Sequence, residues 1–251
     1  MVLPVIGQET RKPTRKEERR QRINAIIKQE EEGVIKYKKH TVFGVKLTTD
    51  GYGGFLEIGR AQSVKRGLLF QLDIGERKHP KENKQSVYQN TSPEIFGKLN
   101  FFYPVKLGVQ KQFLLGNKGN KNGVSITGNV GGGFIAGLLR PYMVQVERAS
   151  GLVYIRYDSP DSTDRADFIS PATHVGGPSL STGWKYLSVT PGIYLKPAVR
   201  FDYGKYNEMV SAIEVGLTGE FYTKKIPQVA FNKEKQFFFS AYVSVLFGRR
   251  K

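Results

Sequence analysis

A strict alternation of apolar and polar residues is the feature that most constrains the fold of this chain. The stretch SAIEVGLTGEF, residues 211–221, places Ile213 and Val215 on one face of an extended strand and Glu214 and Glu220 on the other. A period of two is that of a β-strand with one face in an apolar medium and one face in a polar medium. The alternation by itself leaves open which of the two faces points outward.

The same alternation recurs along the chain in eight segments. They are TVFGVKLTT (41–49), GFLEIGRA (54–61), GLLFQLDIGE (67–76), FFYPVKLGVQK (101–111), VSITGNVGGGFIAGL (124–138), LSVTPGIYLKPAVRFDY (187–203), SAIEVGLTGEF (211–221) and QFFFSAYVSVLFG (236–248). An even number of strands is expected for a closed single-chain antiparallel membrane barrel. We therefore predict an all-β fold, an eight-stranded antiparallel up-and-down transmembrane β-barrel with a short N-terminal helix.

The predicted connections between these segments alternate in length. The third (77–100) and fifth (139–186) are long and the seventh (223–235) is intermediate, whereas the second, fourth and sixth are short or moderate. Membrane barrels show this pattern because short turns lie at the periplasmic end and longer loops lie at the outer end. The first connection, DGYG, breaks the pattern. The fifth connection is predicted to begin with a hairpin, MVQVERASGLVYIRYD (143–158).

The composition of the polar faces favours an apolar exterior. Glycines such as Gly44, Gly108 and Gly216 share these faces, and glycine makes room inside a narrow barrel. The charged members nearly balance, four basic against five acidic, as is required where water is scarce and charges must pair. The predicted polar network of the barrel interior consists of Lys46, Glu57, Asp73, Lys106, Lys196, Arg200, Asp202, Glu214 and Glu220.

Aromatic residues cluster at the ends of the predicted strands, as in the aromatic girdles of membrane barrels. The clusters are Phe101, Phe102 and Tyr103; Phe201 and Tyr203; Phe221 and Tyr222; and Phe237, Phe238 and Phe239. The formal net charge of +17 indicates anionic partners. Because the aromatic residues follow the apolar alternation and are not interleaved with basic patches, nucleic acid is disfavoured. Outer-membrane lipid and lipopolysaccharide are the predicted partners.

The first forty residues divide into two short segments. Residues 1–8, MVLPVIGQ, have the pattern that ends a signal peptide, with cleavage before Gln8; an ordinary N-terminus fits equally well. Residues 9–39 are predicted to be a charged helical periplasmic lead-in, in which Thr14 and Glu17 form a capping box. This basic segment is either a solvated helix or an arm that touches headgroups, peptidoglycan or a partner. Residues 40–251 form the predicted barrel.

The chain resembles the small outer-membrane β-barrel proteins of Gram-negative bacteria, and of Bacteroidota in particular. The resemblance rests on the signal-like VIGQ, on the strand series from TVFGVKL onward and on the terminal FFFSAYVSVLFGRRK. Such proteins typically end with an alternating strand that bears an aromatic residue close to its end. Here Gly248 to Lys251 follow the last aromatic residue, Phe247. The resemblance implies a location in the outer membrane of the cell envelope and no particular reaction.

No residue pattern in the sequence predicts catalysis, a cofactor or a metal site. His40, His79 and His174 show no paired ligand spacing. The chain has no cysteine, which excludes a cysteine zinc site and a thiol nucleophile. The acidic stretch DSPDSTDRAD (158–167) lacks the order of an EF-hand loop. We therefore predict no catalytic residue, no cofactor, no metal and no enzymatic activity.

The predicted function is a structural, binding or complex-subunit role in the outer membrane. Eight strands enclose an interior that side chains just fill, so a wide pore is not expected. Other envelope proteins would bind through the N-terminal basic segment or the 139–186 loop. Two alternatives remain open: a soluble lipocalin-like barrel that binds a small apolar ligand, and an outer-membrane lipid-modifying enzyme. For the enzyme the sequence assigns no Ser–His pair, and the region of His174, Ser179, Ser181 and Trp184 is the place to look for one.

Overall fold

The computed structural model describes residues 15–21, 24, 38–63, 65–85, 93–118, 123–204 and 209–250. Residues 15–21 are helical, within the predicted lead-in. The predicted signal-peptide remnant, Thr14 of the capping box and most of the lead-in lie outside the described residues. No helix in the described part of the chain is long and apolar enough to cross a membrane.

Strands dominate the described residues from Lys39 onward. They are β1 (Lys39–Thr48), β2 (Gly51–Ser63), β3 (Arg66–Arg77), β4 (Lys84–Gln85), β5 (Glu94–Ile95), β6 (Asn100–Gly116), β7 (Ser125–Pro141), β8 (Met143–Arg148), β9 (Gly151–Arg156), β10 (His174–Gly176), β11 (Ser188–Asp202), β12 (Met209–Ile226) and β13 (Lys235–Arg250). A helix, Ser162–Ile169, follows β9. Two 3-10 turns, Pro171–Thr173 and Trp184–Tyr186, lie before β10 and β11.

Eight of these strands close into a barrel in the order β1-β2-β3-β6-β7-β11-β12-β13, with β13 paired to β1. Every pair is antiparallel, and each strand pairs with the next barrel strand along the chain. At the closing seam Val45 of β1 lies opposite Val245 of β13. Closure leaves no open edge in the eight-stranded barrel sheet. The predicted all-β, eight-stranded antiparallel barrel is confirmed.

The two ends of the barrel differ in the length of their connections. One end holds the start of β1, the end of β13 and the connections 64–65, 117–124 and 203–208; we call it the short-connection end. The opposite, long-connection end holds 49–50, 78–99, 142–187 and 227–234. The two longest connections, 78–99 and 142–187, share one end, as predicted. The segregation is partial, because the turn 49–50 at that end has two residues and 227–234 is only as long as 117–124 at the other end.

The longest connection builds a small cap at the long-connection end. Strands β8 and β9 form the hairpin predicted for this stretch, with Val146 opposite Val153, and β10 adds to β8 as a third strand. The hairpin and the helix Ser162–Ile169 bury a cluster of apolar side chains that the connection 78–99 completes. Its members are Ile95, Tyr142, Val144, Val146, Ile155 and Phe168.

Glycines on the inner face make room for large side chains that cross the barrel. A Cβ atom on Gly216 of β12 would lie 2.6 Å from the hydroxyl of Tyr242, and one on Gly44 would lie 2.6 Å from the ring of Phe55. Both distances are far shorter than a van der Waals contact. The glycines predicted to face the interior therefore admit aromatic rings that a larger residue would exclude.

Substitution of Gly216 tests this packing. In Gly216→Ala the new methyl group is expected to displace Tyr242, which donates a hydrogen bond of 2.8 Å to Glu214. The expected cost is about 1–3 kcal/mol in the free energy of unfolding, the usual range for an overpacked interior. Urea denaturation of the refolded protein, followed by gel migration, measures it. Gly219→Ala on the same strand is the control, because its nearest side-chain atoms are 3.9 Å away; an equal loss there would contradict the prediction.

Candidate functional site: the charged barrel interior

All nine charged residues named from the sequence point into the barrel. None of them is more than 4% exposed. They come from six strands, β1, β2, β3, β6, β11 and β12, because on each strand every second residue faces inward. Opposite charges from different strands therefore meet inside the barrel, although they lie far apart in the sequence.

Arg77 is a tenth interior charge that the sequence analysis missed. It lies at the end of β3, is 4% exposed and faces inward. The four basic residues predicted for the interior thus become five, equal to the five acidic ones. Residues 73, 75 and 77 continue one alternation, and this would have identified Arg77 had the predicted segment not ended at Glu76.

Arg77 and Glu220 form an ion pair across the barrel near the long-connection end. Their strands, β3 and β12, stand opposite each other in the ring of eight. Two guanidinium nitrogens of Arg77 donate to the two carboxylate oxygens of Glu220, at 2.6 and 3.1 Å. Lys106 lies 2.8 Å from the same carboxylate, and the hydroxyl of Tyr222 donates to it at 2.9 Å. The pair is therefore bidentate and buried, and Lys106 and Tyr222 also contact its carboxylate.

Aromatic rings seal the barrel around this pair. The guanidinium of Arg77 lies 4.7 Å from the ring centroid of Phe238 and 5.6 Å from that of Phe102. The rings belong to a buried apolar cluster of Phe102, Ile135, Leu139, Tyr194, Tyr222, Ile226 and Phe238. The prediction that Phe102, Tyr222 and Phe238 belong to an outer aromatic girdle is wrong, because all three rings are buried inside the barrel. In a run of consecutive aromatic residues, the pleat turns every second ring inward.

Arg200 and Glu57 form a second pair across the barrel, nearer the short-connection end. Their strands, β11 and β2, also stand opposite each other in the ring. Both carboxylate oxygens of Glu57 accept from Arg200 at 2.7 Å. The Nε of Arg200 donates to Glu214 at 2.9 Å. Glu214 also accepts from Asn129 at 2.9 Å and from Tyr242 at 2.8 Å, so it is the most heavily hydrogen-bonded carboxylate of this level.

Lysines bridge the space between the two cross-barrel pairs. Lys46 of β1 is paired with Asp73 of β3. Lys196 lies 3.1 Å from Glu214 and donates to Gln71 at 3.0 Å. At the mouth of the short-connection end, Asp202 is paired with Arg250 and lies 3.6 Å from Lys118. The predicted residues therefore form several connected pairs and not a single reactive site.

Removal of one partner from a cross-barrel pair should be costly. In Arg200→Gln, the carboxylates of Glu57 and Glu214 lose their shared cation while they stay buried. The expected loss is about 3–5 kcal/mol in the free energy of unfolding, the cost typical of an uncompensated buried charge. The urea midpoint of the refolded barrel measures it. Arg60→Gln, which removes an exposed arginine from β2, is the matched control. A similar midpoint for the two variants would contradict the structural role of the pair.

The outward faces of the same strands are apolar over the whole circumference. Phe134 is 76% exposed and Leu47 is 70% exposed. All eight barrel strands contribute to this belt of exposed side chains: Phe43, Val45, Leu47, Leu56, Ile58, Phe70, Leu72, Ile74, Leu107, Val109, Val130, Phe134, Ile193, Leu195, Val199, Ile213, Val215, Leu217, Phe221, Phe237, Phe239, Val243 and Phe247. The apolar face of the stretch 211–221 therefore points outward, and its glutamates point inward.

No protein-family model and no curated protein sequence matches the chain. Solved structures similar to it include two bacterial proteins. The N-terminal β-barrel domain of Pseudomonas aeruginosa OprF has 10% sequence identity and a TM-score of 0.37, covering 84% of this chain and 98% of that chain. Neisserial surface protein A (NspA) has 9% identity and a TM-score of 0.40, covering 85% and 96%.

The outer rim of the long-connection end holds a buried arginine among aromatic rings. Arg140, only 2% exposed, lies 4.1 Å from the ring centroid of Phe101 and 4.9 Å from that of Trp184. It donates to the carbonyl of Leu180 at 2.8 Å. Trp184 stacks on Tyr103 with the ring centroids 5.8 Å apart. This arginine ties the end of the 142–187 connection to the barrel wall, a contact that no local sequence pattern indicates.

The cap contains a buried ion pair between two different connections. The Nδ1 of His174 lies 2.7 Å from a carboxylate oxygen of Glu94, and its Nε2 lies 3.1 Å from the carbonyl oxygen of Asp167. Both ring nitrogens thus face acceptors, an arrangement that the doubly protonated imidazolium satisfies. Burial alone would lower the pKa of His174, but the hydrogen bond and charge of Glu94 outweigh burial, so this pKa is raised above its ordinary value.

The remaining candidate residues are engaged elsewhere. Ser179 and Ser181 lie 3.2 Å from each other through their hydroxyls, and the described residues show no hydrogen bond from either to His174. In the acidic stretch 158–167, Asp161 accepts from the backbone of Thr163 and caps the helix. Arg148 pairs with Asp164 and Asp167 of the same stretch. Within the described ranges, no group of three His, Cys, Asp or Glu side chains could hold a metal ion.

The cap should loosen as the pH rises. Because the folded pKa of His174 is raised, its contribution to stability is complete below the unfolded value of about 6.5 and is lost as the pH passes the folded value. Hydrogen exchange of residues 143–176, measured at a series of pH values, should show this loss of protection. In His174→Gln this pH-dependent change in the protection factors, which are corrected for the intrinsic exchange rate at each pH, should vanish. A cap that is equally protected at acidic and alkaline pH would contradict the prediction.

Proposed function

We propose that the protein is an integral outer-membrane β-barrel protein of the Gram-negative cell envelope. The observation that carries this proposal is the inverted distribution of side chains, with an apolar belt outside and ion pairs inside. Soluble monomers rarely expose contiguous apolar patches above a few hundred Å². Hydrocarbon solvates such a belt, and closure pairs each barrel strand with a neighbour on both sides, which a membrane requires.

The length and direction of the strands support the same proposal. Membrane strands need about 9–11 residues, and the barrel strands contain from 10 to 18. Both ends of the barrel domain lie at the short-connection end, which in membrane barrels faces the periplasm. The capped long-connection end then faces outward. The Bacteroidota affiliation and the signal peptide stay predictions.

A structural, binding or complex-subunit role fits the interior better than transport. The two cross-barrel arginine–glutamate pairs span the lumen at different heights, and an apolar cluster lies toward each end. The cluster toward the short-connection end consists of Val42, Phe55, Val210, Ala212 and Leu246. We infer no wide pore from this packing. The cap and the N-terminal basic segment are the surfaces offered to lipopolysaccharide or to other envelope proteins.

The two alternatives gain no support from the side-chain arrangement. A lipocalin-like barrel would line its lumen with apolar residues and expose its charges, and here the distribution is reversed. A lipid-modifying enzyme would need a base that is free to act on a nucleophile. His174 has Glu94 and the carbonyl of Asp167 as its partners. We therefore keep the membrane protein without enzymatic activity as the proposed function.

Extraction and gel migration test the membrane proposal. The protein should require detergent to leave the membrane fraction. Its folded form should migrate differently from the heated form on a denaturing gel, because a closed barrel resists detergent until it is boiled. A soluble protein of similar mass serves as the control. Recovery of folded monomer from plain buffer would refute the proposed function.

A further inference from the structure

The short-connection end carries basic side chains that no acidic side chain among the described residues matches. Seven of them are exposed, and none forms an ion pair with another described residue. We call this set the basic rim: Lys38, Lys39, Arg60, Lys65, Arg66, Lys111 and Arg249. The acidic side chain at the mouth of this end, Asp202, is already paired with Arg250. The rim is therefore uncompensated within the described part of the molecule.

The strand register brings members of the basic rim together. Lys39 of β1 lies directly opposite Arg60 of β2. Arg60 is in register with Leu68 of β3, which is in register with Lys111 of β6. Like charges placed directly opposite each other on neighbouring strands are destabilising. An anion from outside the chain would relieve this repulsion, because no acidic side chain of the described residues pairs with Lys39, Arg60 or Lys111.

The basic rim directly borders the apolar belt. On the outward faces, Arg60 follows Ile58 by two residues, and Arg249 follows Phe247 by two residues. Two residues of a strand span about 7 Å. Basic side chains at this distance can keep their apolar stems on the belt and their charged ends in the headgroup layer. The rim thus lies where the hydrocarbon of a membrane would give way to phosphate groups.

The opposite end of the barrel has a different charge pattern. Exposed acidic residues, among them Glu147, Asp158 and Glu234, lie among its basic residues. Several charges there are paired inside the chain, such as Lys98 with Glu82 at 2.6 Å. The one-signed surface is therefore a property of the short-connection end and not simply a consequence of a basic chain.

We propose that the basic rim binds the phosphate groups of anionic phospholipids in the leaflet at the short-connection end. The proposal rests on the proposed function, since it requires the barrel to span a membrane. A lipid headgroup fits better than a soluble polyanion because the cations point sideways at the border of the apolar belt. It fits better than nucleic acid because the aromatic side chains next to the rim, Phe113 opposite Arg66 and Phe247 two residues before Arg249, belong to the outward apolar faces of the strands.

Two charge-matched variants of the full chain test the proposal. The rim variant is Lys39→Gln, Arg60→Gln, Lys111→Gln and Arg249→Gln. The control variant, Lys185→Gln, Lys224→Gln, Lys225→Gln and Lys233→Gln, removes the same charge from exposed positions at the opposite end. Each protein is refolded into phosphatidylcholine vesicles with and without phosphatidylglycerol. Spin-labelled lipids then report which headgroup is enriched next to the barrel.

The wild-type protein and the control variant should enrich phosphatidylglycerol, and the rim variant should lose that preference. The preference should also fade at about 1 M salt, where the Debye length is about 3 Å. Equal loss in both variants would overturn the proposal, as would wild-type protein without any preference. Retention of soluble polyphosphate without a lipid preference would also overturn it. Insertion into pure phosphatidylcholine needs no anionic lipid, so failure at that step would refute the proposed membrane location instead.

Discussion

The structure depends on the pairing of charges that are buried inside a narrow barrel. An unpaired charge in a low-dielectric interior costs several kcal/mol, so five acidic and five basic side chains occupy positions that let them meet. Arg77 with Glu220 and Arg200 with Glu57 join opposite walls. The rest of the interior follows from these pairs. Lysines and tyrosines supply the remaining hydrogen bonds and positive charges to the carboxylates, and glycines leave the space that the long side chains need.

The same alternation that buries the charges exposes the apolar belt. Successive residues of a strand point to opposite faces, so when the charged residues point into the barrel, the apolar residues between them point outward. The ends of the barrel then acquire different roles. The long-connection end carries the cap, with its His174–Glu94 pair, whereas the short-connection end carries short turns and the basic rim. The proposed location in a membrane, whose two surfaces differ chemically, is consistent with this asymmetry.

Much of the barrel and its interior could be predicted from local sequence. The period of two assigned Lys46, Glu214 and their counterparts to one face, and the even strand count predicted closure. The partners could not be predicted, because Arg200 and Glu57 are 143 positions apart. Arg77 was missed at a strand end. Arg140 and Glu94 were missed because their burial depends on how separate connections fold back onto the barrel, and no periodic pattern records that.

The sequence by itself determined that eight alternating strands with charged polar faces would form an all-β barrel. It also determined where the long connections fall, because turn-forming residues and interrupted alternation are local signals. Only the tertiary structure decided which charges pair across the lumen and which aromatic rings seal it. Only the tertiary structure gathered seven cations from five strands and their connections into one rim. Such groupings depend on strand register, which hydrogen bonds between strands set and which no single strand encodes.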